Sequence, residues 1–356
     1  VRSPTHIDAA SSTQWSDETV ETRATLRRNG AVVRASAARG VLRRAAVLAA
    51  HANERERASA IETGSLDGVL AVQRAERQLC VVCGATLPAH ALDERCGGDS
   101  DAVFDDFDEA LAAASAAREQ GESVSLLVYG DACATKQCTL ALNGDGAGAL
   151  TLEGLSATER GGVRRPAACA AEHPAALVGA GVTLRYLTLA PEKVDAKSAV
   201  PRCALTVSGE ARVAFSALAG GVCVTGDVAG QLALFGNEIE PARNEPALDV
   251  AAGSRVLGEG NTLGGAGALV RGVARLDSNS VRGALRAIGA DAELTASANR
   301  FDARAADASD ATCVAVRDGA RLTAADNTFG AHCELELHAA GRVRISGGAA
   351  RTWRDV

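Results

Sequence analysis

The C-terminal half of the chain alternates apolar and polar residues in short runs, and one arrangement of those runs keeps returning. Each unit opens on an apolar segment: CALTV, VCVTG, ALDV, ALVRG, ALRAI, CVAV and CELEL. A small residue, a long polar one and then Leu or Val comes next, at Arg212, Gln231, Arg255, Arg275, Glu293, Arg321 and Arg342. The intervals between those polar residues are 19, 24, 20, 18, 28 and 21. The middle five units carry an asparagine in register: Asn237, Asn261, Asn279, Asn299 and Asn327. Two residues beyond each stands a large apolar side chain, in order Ile239, Leu263, Val281, Phe301 and Phe329. The longest interval implies a loop insertion around residues 305–310.

A repeat of roughly 22 residues with two or three short strands and no helix describes a solenoid coil. Hairpins would need two-residue turn signals, and Asn-Gly occurs only at Asn29-Gly30 and Asn143-Gly144, outside this region. The predicted fold is therefore an all-β solenoid, a right-handed single-stranded parallel β-helix. Its coils lie about 4.8 Å apart, so equivalent residues stack. A stacked asparagine donates its amide to the asparagine one rung away, which satisfies polar groups at a sharp inward turn. In the same way Cys313 and Cys333 share a column, with Ala247, Ala268 and Ala284 filling it elsewhere. Cys203 and Cys223 stack likewise. A rung of about 4.8 Å lies within disulfide range, so both pairs are read as stacked thiols or disulfides. Cys133 and Cys138 flank a short loop and are placed to close it.

Upstream, residues 180–189, 147–157 and 122–131 are strand-like, and RQLCVV (77–82) is a further strand. Between them, residues 101–119 form an amphipathic helix with acidic residues in its first turns, where the helix dipole favours them. The order LCVV, then CGGDSDAVFDDFDEALAAA, LLVYGD and GALTLEGL, followed by stacked coils, resembles the pectin-lyase-like superfamily. The resemblance spans residues 79–348 and implies a capping helix at 101–119. It also raises the expectation of a polysaccharide lyase or glycoside hydrolase. Of the motifs that such enzymes carry, Gly-His-Gly is absent, and RVRIS (342–346) lacks the lysine of Arg-x-Lys. The carboxylate candidates are Asp277 and Asp326, near the asparagine column and two coils apart. That is roughly 10 Å by the rung spacing, against about 6.5–9.5 Å for an inverting pair. Turn positions carry Asp for conformational reasons far more often.

Composition adds a core of small and branched aliphatics, since aromatics make up only 3 % of the 356 residues. The net charge of −7 argues against a nucleic-acid binder as a whole. No apolar run reaches the roughly 18–20 residues of a membrane helix. Ten cysteines are present. Cys80, Cys83 and Cys96, with His90 between, have half the spacing of a zinc knuckle; a disulfide to Cys96 and free thiols are the alternatives. No other cofactor is expected.

Residues 1–78 do not follow the coil pattern and are read as an Arg-rich helical extension. Nine Arg face Glu54 and Glu56 between positions 23 and 57, giving +7. Residues 22–60 thus either present a solvated helix face or dock an anionic partner. The remaining blocks are 79–140 (first strand, capping helix, first coil), 141–349 (coils) and a tail at 350–356. The function expected is that of a non-catalytic structural or adhesive rod, in a virus particle or at a cell surface. Its partners would be other proteins or copies of itself. Enzyme and anionic adaptor are the alternatives.

Overall fold

A computed structural model describes residues 77–83 and most of 102–346, together with the short strands Thr25–Arg28, Ala31–Arg34 and Trp353–Asp355. Within 102–346 the undescribed stretches include 143–147, 192–201 and 302–311. The chain divides into two compact units, Val1–Arg74 and Ala75–Val356.

In the first unit, Thr25–Arg28 pairs antiparallel with Ala31–Arg34, Arg28 opposite Ala31. This corrects the helical reading there. Asn29-Gly30, between these two strands, is the two-residue hairpin signal that the sequence offers. The rest of 22–60 lies outside the described residues.

The second unit is a parallel β-helix built of three sheets, with 10, 12 and 9 strands. Each coil contributes one strand to each sheet, and within every sheet each strand pairs in parallel with its counterparts one coil away. The nine strands of the third sheet mark nine complete coils, a stack of about 43 Å at about 4.8 Å per rung. The alternation in the sequence is what fills it. Leu232 and Leu234, Ile239, then Leu248 and Val250 point inward from the three strands of one coil, and all are buried. The large apolar residues that follow the asparagines form one inward column, from Leu218 through Ile239, Leu263, Val281 and Phe301 to Phe329. The rings of Phe301 and Phe329 stack with centroids 4.8 Å apart.

Two register details differ from the expectation. The outward column of the 12-stranded sheet is Glu210, Gln231, Arg255, Val273, Glu293, Arg321 and Arg342, so Arg212 and Arg275 stand two residues out of line. A slip of two keeps a side chain on the same face, so alternation cannot detect it. The true intervals, 21, 24, 18, 20, 28 and 21, share 24, 18, 20 and 28 with the asparagines. The second detail concerns the small-residue column, where Gly267, not Ala268, aligns with Ala284. A Cβ at Gly267 would meet the Ala284 backbone at 2.3 Å, and its φ of +85° suits glycine alone.

At the N-terminal end a helix, α1 (Phe107–Glu119), starts six residues later than the sequence suggested. Val103–Phe104 instead forms a short strand along the edge of Arg77–Val82. Asp106 caps α1 by accepting from the N–H groups of Asp108 and Glu109. Phe107, Ala110, Leu111, Ala114 and Ala117 join the same core as Leu79, Val81, Val124 and Leu126, so the helix closes this end of the interior. Buried Arg118 fastens it, donating from Nε and Nη2 to the carbonyl of Gly148. At the other end, Trp353–Asp355 pairs with Leu335–Leu337 and lengthens the 10-stranded sheet, where a tail was expected.

Candidate functional site

The asparagines occupy the turn between the 12-stranded and 9-stranded sheets. The residue before each has a left-handed backbone: Gly236, Gly260, Ser278, Ala298 and Asp326, with Tyr186 and Phe215 in the same place on earlier coils. That bend turns the next residue's side chain into the coil, away from water. Asn237 donates from its backbone N–H (2.9 Å) and Nδ2 (3.0 Å) to Oδ1 of Asn261. Asn261 does the same to Asn279, Asn279 to Asn299, and Asn299 to Asn327. The second amide hydrogen reaches a carbonyl, for example Asn261 Nδ2 to Leu234 O at 3.1 Å. All five asparagines are buried, and the pairing removes the cost of burying them. The ladder has a member the asparagine pattern did not reveal. Ser216 donates its N–H to Asn237 Oδ1, and its own hydroxyl oxygen accepts from Leu187 N–H.

Asp277 and Asp326 sit two coils apart, but not in one column. Asp277 aligns with Ser297 and Ala325, whereas Asp326 holds the left-handed turn position one residue further on. Arg275 Nε donates to Asp277 at 2.6 Å, so that carboxylate belongs to an ion pair. Asp326 has the φ of +53° that Asp tolerates better than most residues.

The cysteines are paired across coils. Cys83 bonds Cys133, Cys138 bonds Cys169, Cys203 bonds Cys223 and Cys313 bonds Cys333. Cys133 and Cys138 therefore do not close their shared loop; each reaches a neighbouring coil instead. Cys169 as a partner had no signal in the spacing. Cys80 is also disulfide-bonded, so neither Cys80 nor Cys83 offers a thiolate to zinc. His90 and Cys96 lie outside the described residues. No group of three or more His, Cys, Asp or Glu suited to a metal occurs among the described residues.

The outer faces carry ion pairs that run along the axis. On the 10-stranded sheet, Asp249 is largely buried between Arg271 (2.5 Å) and Arg202 (3.4 Å), residues from three different coils. On the 9-stranded sheet, Arg282 pairs with Glu240 two coils away. The Glu240 side chain lies across the coil between them at Gly264, where a Cβ would meet its carboxylate at 2.2 Å. Near the C-terminal end, Glu336 accepts from Thr312 Oγ1 (2.6 Å) and Arg317 Nη2 (2.8 Å). These two bonds hold its carboxyl below the ordinary carboxylate value. What this arrangement does chemically is hold successive coils together: an inner ladder, cross-coil disulfides and axial ion pairs all act along one direction.

No protein-family model matches the chain, and no curated protein or solved structure is significantly similar to it.

Proposed function

We propose that the protein is a structural or adhesive rod that works outside the reducing cytosol, in a virus particle or on a cell surface. The observation that carries this reading is the set of disulfides joining neighbouring coils of a solenoid already tied by the asparagine ladder. Disulfides persist in oxidising surroundings, and linking adjacent coils resists unwinding under load. In this reading the rigid lateral faces are the working surfaces and protein–protein contacts are the output. The strand, capping helix and coil order further supports a distant membership of the pectin-lyase-like superfamily. Function on such a fold resides in sites and not in the fold itself.

The test has two parts. Fractionating the native source should place the protein in particles or envelopes, with its thiols unreactive until reduced. Recovery in the cytosol with free thiols would overturn the proposal. Depolymerisation of an anionic polysaccharide, lost on Asp326→Ala or Asp277→Ala, would replace it with the enzyme reading.

A further inference from the structure

We propose that the C-terminal end of the solenoid unit docks the N-terminal end of a second copy, so that copies stack head to tail along the coil axis. The proposal deepens the structural-rod reading and rests on it.

Three observations point to this end. First, Arg342–Ser346 is the last strand of the 12-stranded sheet, and one of its edges has no strand beside it among the described residues. Its inward positions, Val343 and Ile345, follow Leu322 and Ala324 in register. Ile345 is nevertheless 38 % exposed, where Leu322 is 3 % exposed. An apolar row with an unpaired strand edge is a template for association.

Second, the ladder is directional. Each asparagine from Asn237 to Asn299 donates its backbone N–H toward the following coil. Asn327 is buried, and its N–H has no acceptor among the described residues. A donor in this state is one that a partner bringing an acceptor would satisfy.

Third, the last strand and the capping helix differ in charge. On the outer face of the 12-stranded sheet at the C-terminal end, Arg342 follows Arg321 in the outward column, and Glu293 before them is bonded to Arg321; on the neighbouring 10-stranded sheet Glu336 is bonded to Arg317. Arg344 lies beside Arg342 on the same face. At the N-terminal end, α1 and the residue two before it expose Asp105, Glu109 and Glu119, none in an ion pair among the described residues. The exposed Arg342 and Arg344 of the last strand thus have exposed carboxylates to meet on the capping helix. Two C-terminal ends facing each other would instead oppose Arg342 and Arg344 to their own copies, which like-charge repulsion disfavours. The contact is therefore heterologous, and a translation along the axis does not close on itself, so it grows into filaments.

Sedimentation velocity of the full chain over a concentration series, at low and high salt, tests this. Species larger than dimers should grow with concentration and shrink with salt. Ile345→Asp or Arg342→Glu should each stop growth, as should Glu109→Lys combined with Glu119→Lys, with unchanged circular dichroism. Mixing the Ile345→Asp protein with the Glu109→Lys/Glu119→Lys protein leaves one working interface per pair and should give dimers and nothing larger. The proposal is overturned if the wild type stays monomeric up to its solubility limit. It is also overturned if the helix substitutions leave assembly intact while those at Arg342 and Ile345 abolish it; that result would indicate a tail-to-tail pair. Assembly accompanied by polysaccharide cleavage would remove the structural reading and leave this interface standing.

Discussion

The first and last coils of the solenoid are made of the same kind of strand, yet they meet their surroundings differently. At the N-terminal end the inward residues Leu79 and Val81 are covered by Phe107, Leu111 and Ala114 of α1, and Val103–Phe104 lies along the outermost strand edge. At the C-terminal end Val343 and Ile345 hold equivalent inward positions, and Ile345 remains exposed. A coil gains stability from each neighbour it packs against. The difference teaches that stability in this fold is supplied at the ends by elements outside the repeat. The end where no such element lies among the described residues is where a partner gains most.

Substitutions at the two ends should separate this contrast. Phe107→Ala removes a fully buried ring from the cap and should cost about 3–5 kcal/mol. Ile345→Ala, at the exposed end, should cost at most about 1 kcal/mol, since little of its area is withdrawn from water. Urea denaturation of both variants checks this; equal losses would mean the C-terminal end is covered as well as the N-terminal one.

The disulfides offer a finer comparison. Cys83–Cys133 closes a separation of 50 residues near the cap, and Cys313–Cys333 one of 20 near the open end. By loop-closure entropy their removal should cost about 4 and about 3 kcal/mol. Paired Ser substitutions followed by thermal denaturation should rank them in that order, and the reverse ranking would show that strain or residual unfolded structure dominates.

The ladder can be cut at either end as well. Asn327→Ala orphans both donors of Asn299, whereas Ser216→Ala orphans only Leu187 N–H. At about 1–3 kcal/mol per orphaned donor, the first should exceed the second by roughly that amount. Equal effects would indicate that water enters the open end and satisfies Asn299.

The smallest effects concern acid. Glu336 near the open end has a carboxyl held below its ordinary 4.5 by Thr312 and Arg317. A depressed carboxyl contributes stability that is present above the unfolded value and is lost as pH falls through the folded one. Stability should therefore decline below about pH 4.5, and Glu336→Gln should flatten that decline. Asp106 at the cap is lowered chiefly by its bond to Lys136 and is partly exposed. Asp106→Asn preserves the cap and removes this titration, so it should flatten the acid limb too, by less than Glu336→Gln because the exposed Lys136 pair is screened by solvent. An acid limb unaltered by Glu336→Gln would assign the decline to other carboxylates.

The asparagine column was legible from the chain because each Asn is bought by a constraint that repeats: a buried turn needs a side chain that both donates and accepts. The apolar residue two positions on was legible for the same reason. The capping helix announced itself through acidic first-turn residues and an Ala-rich apolar face. In contrast, the slip at Arg212 and Arg275, Ser216 in place of asparagine, and the antiparallel pairing of 25–28 with 31–34 were not legible. A two-residue shift preserves alternation, a hydroxyl can replace an amide where only one further N–H must be received, and the Asn29-Gly30 signal lies outside the repeat that organises the rest of the pattern.

Local pattern therefore settles the winding, because a residue's in-or-out choice and its turn chemistry depend on a few neighbours along the chain. Which cysteine meets which, how Asp249 comes to lie between Arg202 and Arg271, and whether Asp277 and Asp326 share a column are matters of registration between coils. Registration depends on the accumulated length of every intervening loop, and a difference of a residue or two moves a side chain by several ångströms. That sum is fixed only when the coils pack on one another.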